Sequence, residues 1–168
     1  MNLPGLSLAA ATLCTDLMAG LFFSFSYSVM PALKRVPDKE FITVMQSINR
    51  AIQNPVFFIV FFGCLLLLPA CTYICYRSPV TPVFRLALAA TIIYFIGVFG
   101  VTALGNIPLN NALDKFNMAG ASSEMITQQR TVFETRWNGL NMVRTISSAL
   151  SFLLMILACI GHFRKPGL

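Results

Sequence analysis

Charge is scarce in this 168-residue chain. Asp, Glu, Lys and Arg make up 11% of it, against roughly a quarter in an ordinary soluble domain. The shortage excludes a water-exposed globule, whose surface must be charged to stay dispersed. Histidine is scarcer still, with His162 alone. A haem held by two histidines, or a multi-histidine metal centre from one chain, is therefore excluded on inventory, and neither metal nor cofactor is expected. Ser–His–Asp chemistry is disfavoured too, because His162 closes the last apolar run, on the side away from the long polar connections. No basic run or nucleic-acid motif accompanies the net charge of +6. The excess reads as anchoring to anionic membrane lipid, with no nucleic-acid partner. Linkers, low-complexity tracts and internal repeats are also missing, so residues 1–168 read as one membrane-embedded unit.

What the chain has in abundance is apolar residues, 57% of the total with fifteen phenylalanines. Four runs reach the length of about 20 residues needed to cross a bilayer as helix. They cover about 6–31, 55–76, 86–105 and 142–162. Backbone groups in hydrocarbon must be satisfied internally, which leaves helices or closed barrels. Runs such as Phe57 to Leu68 lack the alternation of a barrel strand. The first run is too long for a signal-peptide core, and Met1 to Gly5 carries no basic residue. The expected fold class is all-α, a bundle of four transmembrane helices.

Four spans place both ends of the described topology on one side and the two long connections on the other. Basic residues fall on both sides: Arg77, Arg85, Arg164 and Lys165 against Lys34, Arg35, Lys39, Arg50, Lys115, Arg130, Arg136 and Arg144. The positive-inside rule therefore does not orient the chain. Each long connection carries an amphipathic helix. Phe41, Val44, Met45, Ile48 and Ile52 fall at helical spacing, with Asp38 at the N-cap position and Glu40 in the first turn. A second helix is predicted to begin near Ser122 or Ser123, with Glu124 in its first turn, and to run into the fourth span. Such helices either lie on the membrane interface or close over the bundle.

Cys14, Cys64, Cys71, Cys75 and Cys159 all fall in predicted spans. Cys71 and Cys75 share a helix face, a metal or redox pair on one reading and small apolar packing residues on the other. Asp16, at mid-depth in the first span, is expected to face the bundle interior, as intramembrane carboxylates do. It belongs to a small, polar stripe of Thr12, Asp16, Gly20, Ser24 and Ser28. That stripe is either a close helix seam, with Asp16 protonated or bonded to a hydroxyl such as Thr91 or Tyr94, or a site where Asp16 binds substrate or handles a proton.

A second constellation starts from the side of the long connections. The third span ends in Thr102, Asn106, Ile107, Pro108, Leu109 and Asn110; the fourth begins with Trp137, Asn138, Asn141, Arg144, Thr145 and Ser148. Residues 137, 141, 144, 145 and 148 share one helix face. Arg144 keeps its charge and needs acceptors, which the amides of Asn106, Asn110 and Asn141, or a bound anion, would supply. The competing reading has Arg144 snorkel to the interface while the asparagines cap helix ends.

At these residues the chain resembles the anthrone oxygenase-like family of small four-helix membrane proteins, in its bacterial branch. The likeness is carried by Gly20 to Leu33 (GLFFSFSYSVMPAL), Met45 to Asn49 (MQSIN), Asn106 to Asn110 (NIPLN) and the pattern Trp137-Asn138…Asn141…Arg144-Thr145. The resemblance implies a bacterial cytoplasmic membrane and, for the fungal members, oxidation of an anthrone to an anthraquinone by dioxygen without metal or flavin. On that implication Arg144, Asn141, Asn110 and Asn106 stabilise an oxyanion. Trp137, Asn138, Thr145 and Asp16 would then hold a small lipophilic substrate. Asp16 and Glu134 are the candidate bases. Two functions stay open: a cofactor-independent oxygenase of lipophilic phenols, anthrones or quinols, and a non-catalytic protein that binds lipid or serves a larger assembly.

Overall fold

The computed structural model describes residues 2–77 and 81–164; Lys165, part of the predicted basic tail, lies outside them. Four helices are long and apolar enough to cross a membrane: α1 (Leu3–Leu33), α3 (Pro55–Tyr76), α4 (Pro82–Asp114) and α5 (Ser123–Phe163). Between α1 and α3 lies the amphipathic α2 (Asp38–Ala51). A short 3₁₀ turn, Met118–Gly120, precedes α5. Among the described residues there is no strand. The protein is thus an all-α membrane bundle.

The helices begin where side chains satisfy their first free N–H groups. Asn2 accepts from the Gly5 N–H at 3.0 Å, Asn54 from Phe57 at 3.0 Å and Ser122 from Met125 at 3.4 Å. Asp38 departs from expectation. Pro37 occupies the cap and Asp38 is the first helical residue. Its carboxylate is taken instead by Thr127 and Arg130 of α5.

The bundle closes in the order α1, α5, α4, α3 and back to α1. One apolar core runs through its middle, with Leu8, Met18, Phe61, Leu68, Tyr94 and Met155 among its buried members. Apolar packing against lipid tails gives helices little reason to associate, so small and hydrogen-bonding residues at the seams matter. Thr72 and Thr91 hydroxyls meet at 2.8 Å, joining α3 to α4. Ser151 Oγ donates to the Ala90 carbonyl at 3.0 Å, joining α5 to α4. Gly97 is the tightest point: a methyl group there would lie 2.1 Å from Ser147 Oγ and 2.5 Å from Ser147 Cβ. At the far end, His162 Nε2 lies 3.0 Å from Asn2 Oδ1, so the one histidine ties the end of α5 to the start of α1.

A second apolar cluster sits on the side of the long connections, where α2 closes over the bundle. The face α2 buries is Phe41, Ile42, Met45, Gln46 and Asn49; Val44, expected inside, is exposed. Gln46 donates to the Leu113 and Phe116 carbonyls at 2.8 and 3.2 Å, fastening α2 to the end of α4. Arg130 fastens the other side. It donates to the carbonyls of Leu33, Lys34 and Val36 and to Asp38, while Glu134 accepts from its Nε at 3.1 Å. The last carbonyls of α1, which helix geometry leaves unpaired, are thereby capped by a cation from α5.

α5 runs unbroken for 41 residues, about 60 Å at 1.5 Å per residue. That is roughly twice the hydrocarbon thickness, so its first half carries the second connection and its second half is the fourth span. α4 likewise continues beyond Gly105 to Asp114. It does so through π-helical turns at Phe95–Gly100 and Thr102–Asn106; a third such turn, Phe25–Val29, interrupts α1. Such turns are frequent at functional sites because each re-aims the side chains beyond it.

Candidate functional site

Two of these π-helical turns, Phe25–Val29 and Thr102–Asn106, contribute to the wall of one cavity of about 200 Å³ in the half of the bundle beneath α2. Phe22 and Phe25 of α1 form one wall and Phe57, Phe58, Phe61 and Phe62 of α3 another. Thr102, Asn106 and Asn110 of α4 face them, Trp137 and Arg144 come from α5, and Asn49 of α2 and Gln53 just past its end lie across the top. An aromatic chamber with a few convergent polar groups is the usual form of a small-molecule site.

Arg144 is the centre of its charge. The side chain is 7% exposed and belongs to no ion pair among the described residues. It does not snorkel. Its Nη2 donates to Asn141 Oδ1 at 2.7 Å and its Nη1 reaches Thr102 Oγ1 at 3.5 Å. The guanidinium lies 4.5 Å from the ring centre of Phe22 and 5.4 Å from that of Trp137, within range of cation–π attraction. Nε has no partner. A buried cation without a counter-ion is costly, and this one borders an open chamber.

The remaining predicted residues divide by position. Asn110 Oδ1 accepts from the Trp137 indole N–H at 3.0 Å, so those two fix each other on the wall. Asn106 is 1% exposed, borders the cavity and leaves both amide atoms unpaired. Asn141 and Thr145 stand behind Arg144. Asn141 Nδ2 donates to Ser26 Oγ at 2.8 Å and to the Phe22 carbonyl at 3.2 Å. Thr145 meets Ser26 at 2.9 Å and donates to the same carbonyl at 3.1 Å. Asn141 orients the guanidinium, Thr145 fastens the same stretch of α5 to α1, and neither lines the chamber. Asn138 is half-buried and outside the lining.

Asp16 is not brought to the site. The inward face of α1 is Ala11, Thr15, Met18, Ala19 and Phe22, which turns Asp16 outward with Gly20, Ser24 and Ser28. Thr91 bonds Thr72 instead, and the Tyr94 hydroxyl has no partner. Glu134, the other candidate base, is engaged by Arg130. Cys71 and Cys75 are free thiols buried in the core. Among the described residues no cluster of His, Cys, Asp or Glu is placed to hold a metal.

Sequence reasoning missed Asn49, Gln53 and the α3 aromatic wall as site residues. The available signal was Asn49 itself, a polar residue one turn after Met45 on the buried face of an amphipathic helix.

Residues 56–154 match the family model described as anthrone oxygenase. The chain belongs to the anthrone oxygenase family. The match takes in α3 from Val56, all of α4 and α5 as far as Leu154, and therefore three of the cavity's walls; α1 and α2 precede it. No curated protein and no solved structure matches the chain. Within this anthrone oxygenase family member, the Asn-Ile-Pro-Leu-Asn segment of α4 and the Trp137 to Arg144 face of α5 meet at one chamber.

Proposed function

We propose that the chamber binds a lipophilic phenol, anthrone or quinol from the membrane and promotes its oxidation by dioxygen. The observation that carries this reading is the uncompensated Arg144 cation at the wall of an aromatic cavity. An anthrone-type substrate has a CH₂ flanked by two rings, opposite a carbonyl. Loss of one C–H proton to solvent converts the carbonyl to an enolate oxygen, and a buried cation stabilises that charge far better than water does. The carbanion then gives electrons to O₂, the peroxide takes up the proton, and loss of water leaves a new carbonyl. The balance is R₂CH₂ + O₂ → R₂C=O + H₂O, with the substrate as the reductant. The phenylalanine walls and Trp137 supply flat apolar surface for the rings.

Among the described residues, no carboxylate or imidazole borders the chamber. In this reading catalysis rests on acidifying the substrate through Arg144 rather than on a general base. The same observation favours a second reading, a site that binds a lipophilic anion without converting it. Oxygen uptake by detergent-purified protein, given an anthrone and a set of quinols, separates them. Uptake well above the uncatalysed rate, lost in Arg144→Ala and Asn141→Ala, supports the oxygenase. Binding without uptake across the set supports the non-catalytic site.

A further inference from the structure

We propose that Asn106 accepts a hydrogen bond from a hydroxyl of the ligand, so that the chamber selects aromatics carrying a free O–H in addition to the oxygen held at Arg144. This rests on the reading of the chamber as a ligand site and goes beyond it by stating what the ligand must donate.

The unpaired polar atoms define the demand. Arg144 Nε and Asn49 Nδ2 are buried donors without partners, while Asn106 contributes an unpaired donor and an unpaired acceptor. All three residues border the chamber and all are more than nine-tenths buried. Their neighbours on the same wall are satisfied: Thr102 by Arg144, Asn110 by Trp137. Asn106 lies one turn from each and is the buried polar side chain of this wall left without a partner. Buried amides are rarely left this way unless water or a ligand completes them.

A carboxylate, a quinone or an ether brings only acceptor oxygens. Each would serve Arg144, Asn49 and the Asn106 amide N–H, and leave Asn106 Oδ1 desolvated and unpaired. A second phenolic hydroxyl both accepts and donates, so it gives each amide atom a partner. Water filling the empty chamber does not remove the preference, since a ligand that displaces it without reproducing its bonds binds less well. Sites built around a substrate hydroxyl reject the analogue lacking it for the same reason.

The test is calorimetric titration of the detergent-purified protein with 7-hydroxy-2-naphthoate and with 7-methoxy-2-naphthoate. The carboxylate sets both on Arg144 in one orientation, and they differ at the far oxygen, O–H in one and O–CH₃ in the other. The hydroxy acid is expected to bind about 10- to 100-fold more tightly, the range for one buried polar partner. In Asn106→Leu the hydroxy acid weakens to the level of the ether. Asn49→Leu weakens both ligands alike, because both offer Asn49 an acceptor. Equal affinities in the unaltered protein, or a preference that survives in Asn106→Leu, overturn the proposal. The ligand pair on the unaltered protein decides the matter even if the Leu variant does not fold. Affinities for both ligands that do not change in Arg144→Met overturn the reading of the chamber itself, a separate failure.

Discussion

Arg144 donates to Asn141 Oδ1 at 2.7 Å, one turn apart on α5, and this is the shortest contact the guanidinium makes. Because the acceptor is a neutral amide, the bond orients Arg144 without cancelling its charge. Asn141→Asp tests that distinction. The replacement is nearly isosteric and places a carboxylate against the cation, completing a buried pair. The new ion pair offsets the bond to the Phe22 carbonyl that Asn141 Nδ2 no longer gives, so the melting temperature in detergent is expected to change little, while oxygen uptake falls by roughly 100-fold, the cost of losing one preorganised oxyanion donor. Uptake that persists in this variant would show that the free charge of Arg144 is not used.

The contact of Arg130 with Asp38 joins α5 to the first turn of α2 at 2.8 Å. The Thr127 hydroxyl, by donating to Asp38, holds its carboxyl below the ordinary value of 3.8, and Arg130 adds to the effect. A depressed folded-state pKa contributes stability that is fully present above the unfolded pKa and is lost as pH falls through the folded one. The clasp on α2 is therefore intact at pH 5 and above, and weakens below about pH 4. Melting temperatures measured from pH 6 to pH 3 should fall at the acid end. In Asp38→Asn the starting value should be lower and the acid decline shallower. Parallel curves for the two proteins would remove Asp38 as the source.

Which of these relationships were legible beforehand follows from what periodicity carries. Span length and composition need no tertiary information, so the four helices were readable, as was the unbroken passage of α5 from Ser122 into the membrane. The shared face of Trp137, Asn141 and Arg144 is a property of one helix and was equally plain. Asn49 was not. Its place at the chamber depends on how α2 folds back over the bundle, fixed by Gln46 reaching Leu113 and Phe116. The π-helical turns were invisible for a related reason. Each adds a residue to a turn and shifts the phase of everything beyond it, while the apolar composition is unchanged. Asp16 shows the limit of a depth rule: position along the sequence sets how deep a residue lies, and only packing sets which way it turns.

Gly97 permits α4 and α5 to approach where α4 enters its first π-helical turn. A methyl group there would collide with Ser147 Cβ, which cannot rotate away. Gly97→Ala is expected to push the helices apart and cost about 1–3 kcal/mol, as overpacking does. A lowered melting temperature in detergent checks it. Pairing the change with Ser147→Gly removes both obstructing atoms and should restore most of the loss. Absence of rescue would place the damage elsewhere than this contact.

Asp16 makes the opposite kind of prediction. Its carboxylate stands on the outer face of α1 at about mid-span, beside Gly20, where an added methyl group would meet nothing within 4 Å. A carboxylate at the centre of a span costs about 2.5–3.5 kcal/mol on the insertion scale, where an apolar residue is slightly favourable. Asp16→Leu should therefore insert at least as well and melt no lower, and it should leave oxygen uptake unchanged because the residue faces away from the chamber. Membrane yield, melting temperature and uptake are read on the same preparation. A fall in uptake with the fold intact would tie Asp16 to the chemistry despite its orientation. A fall in stability would mean that the outer face of α1 is covered in the membrane, and that the carboxylate has a partner there.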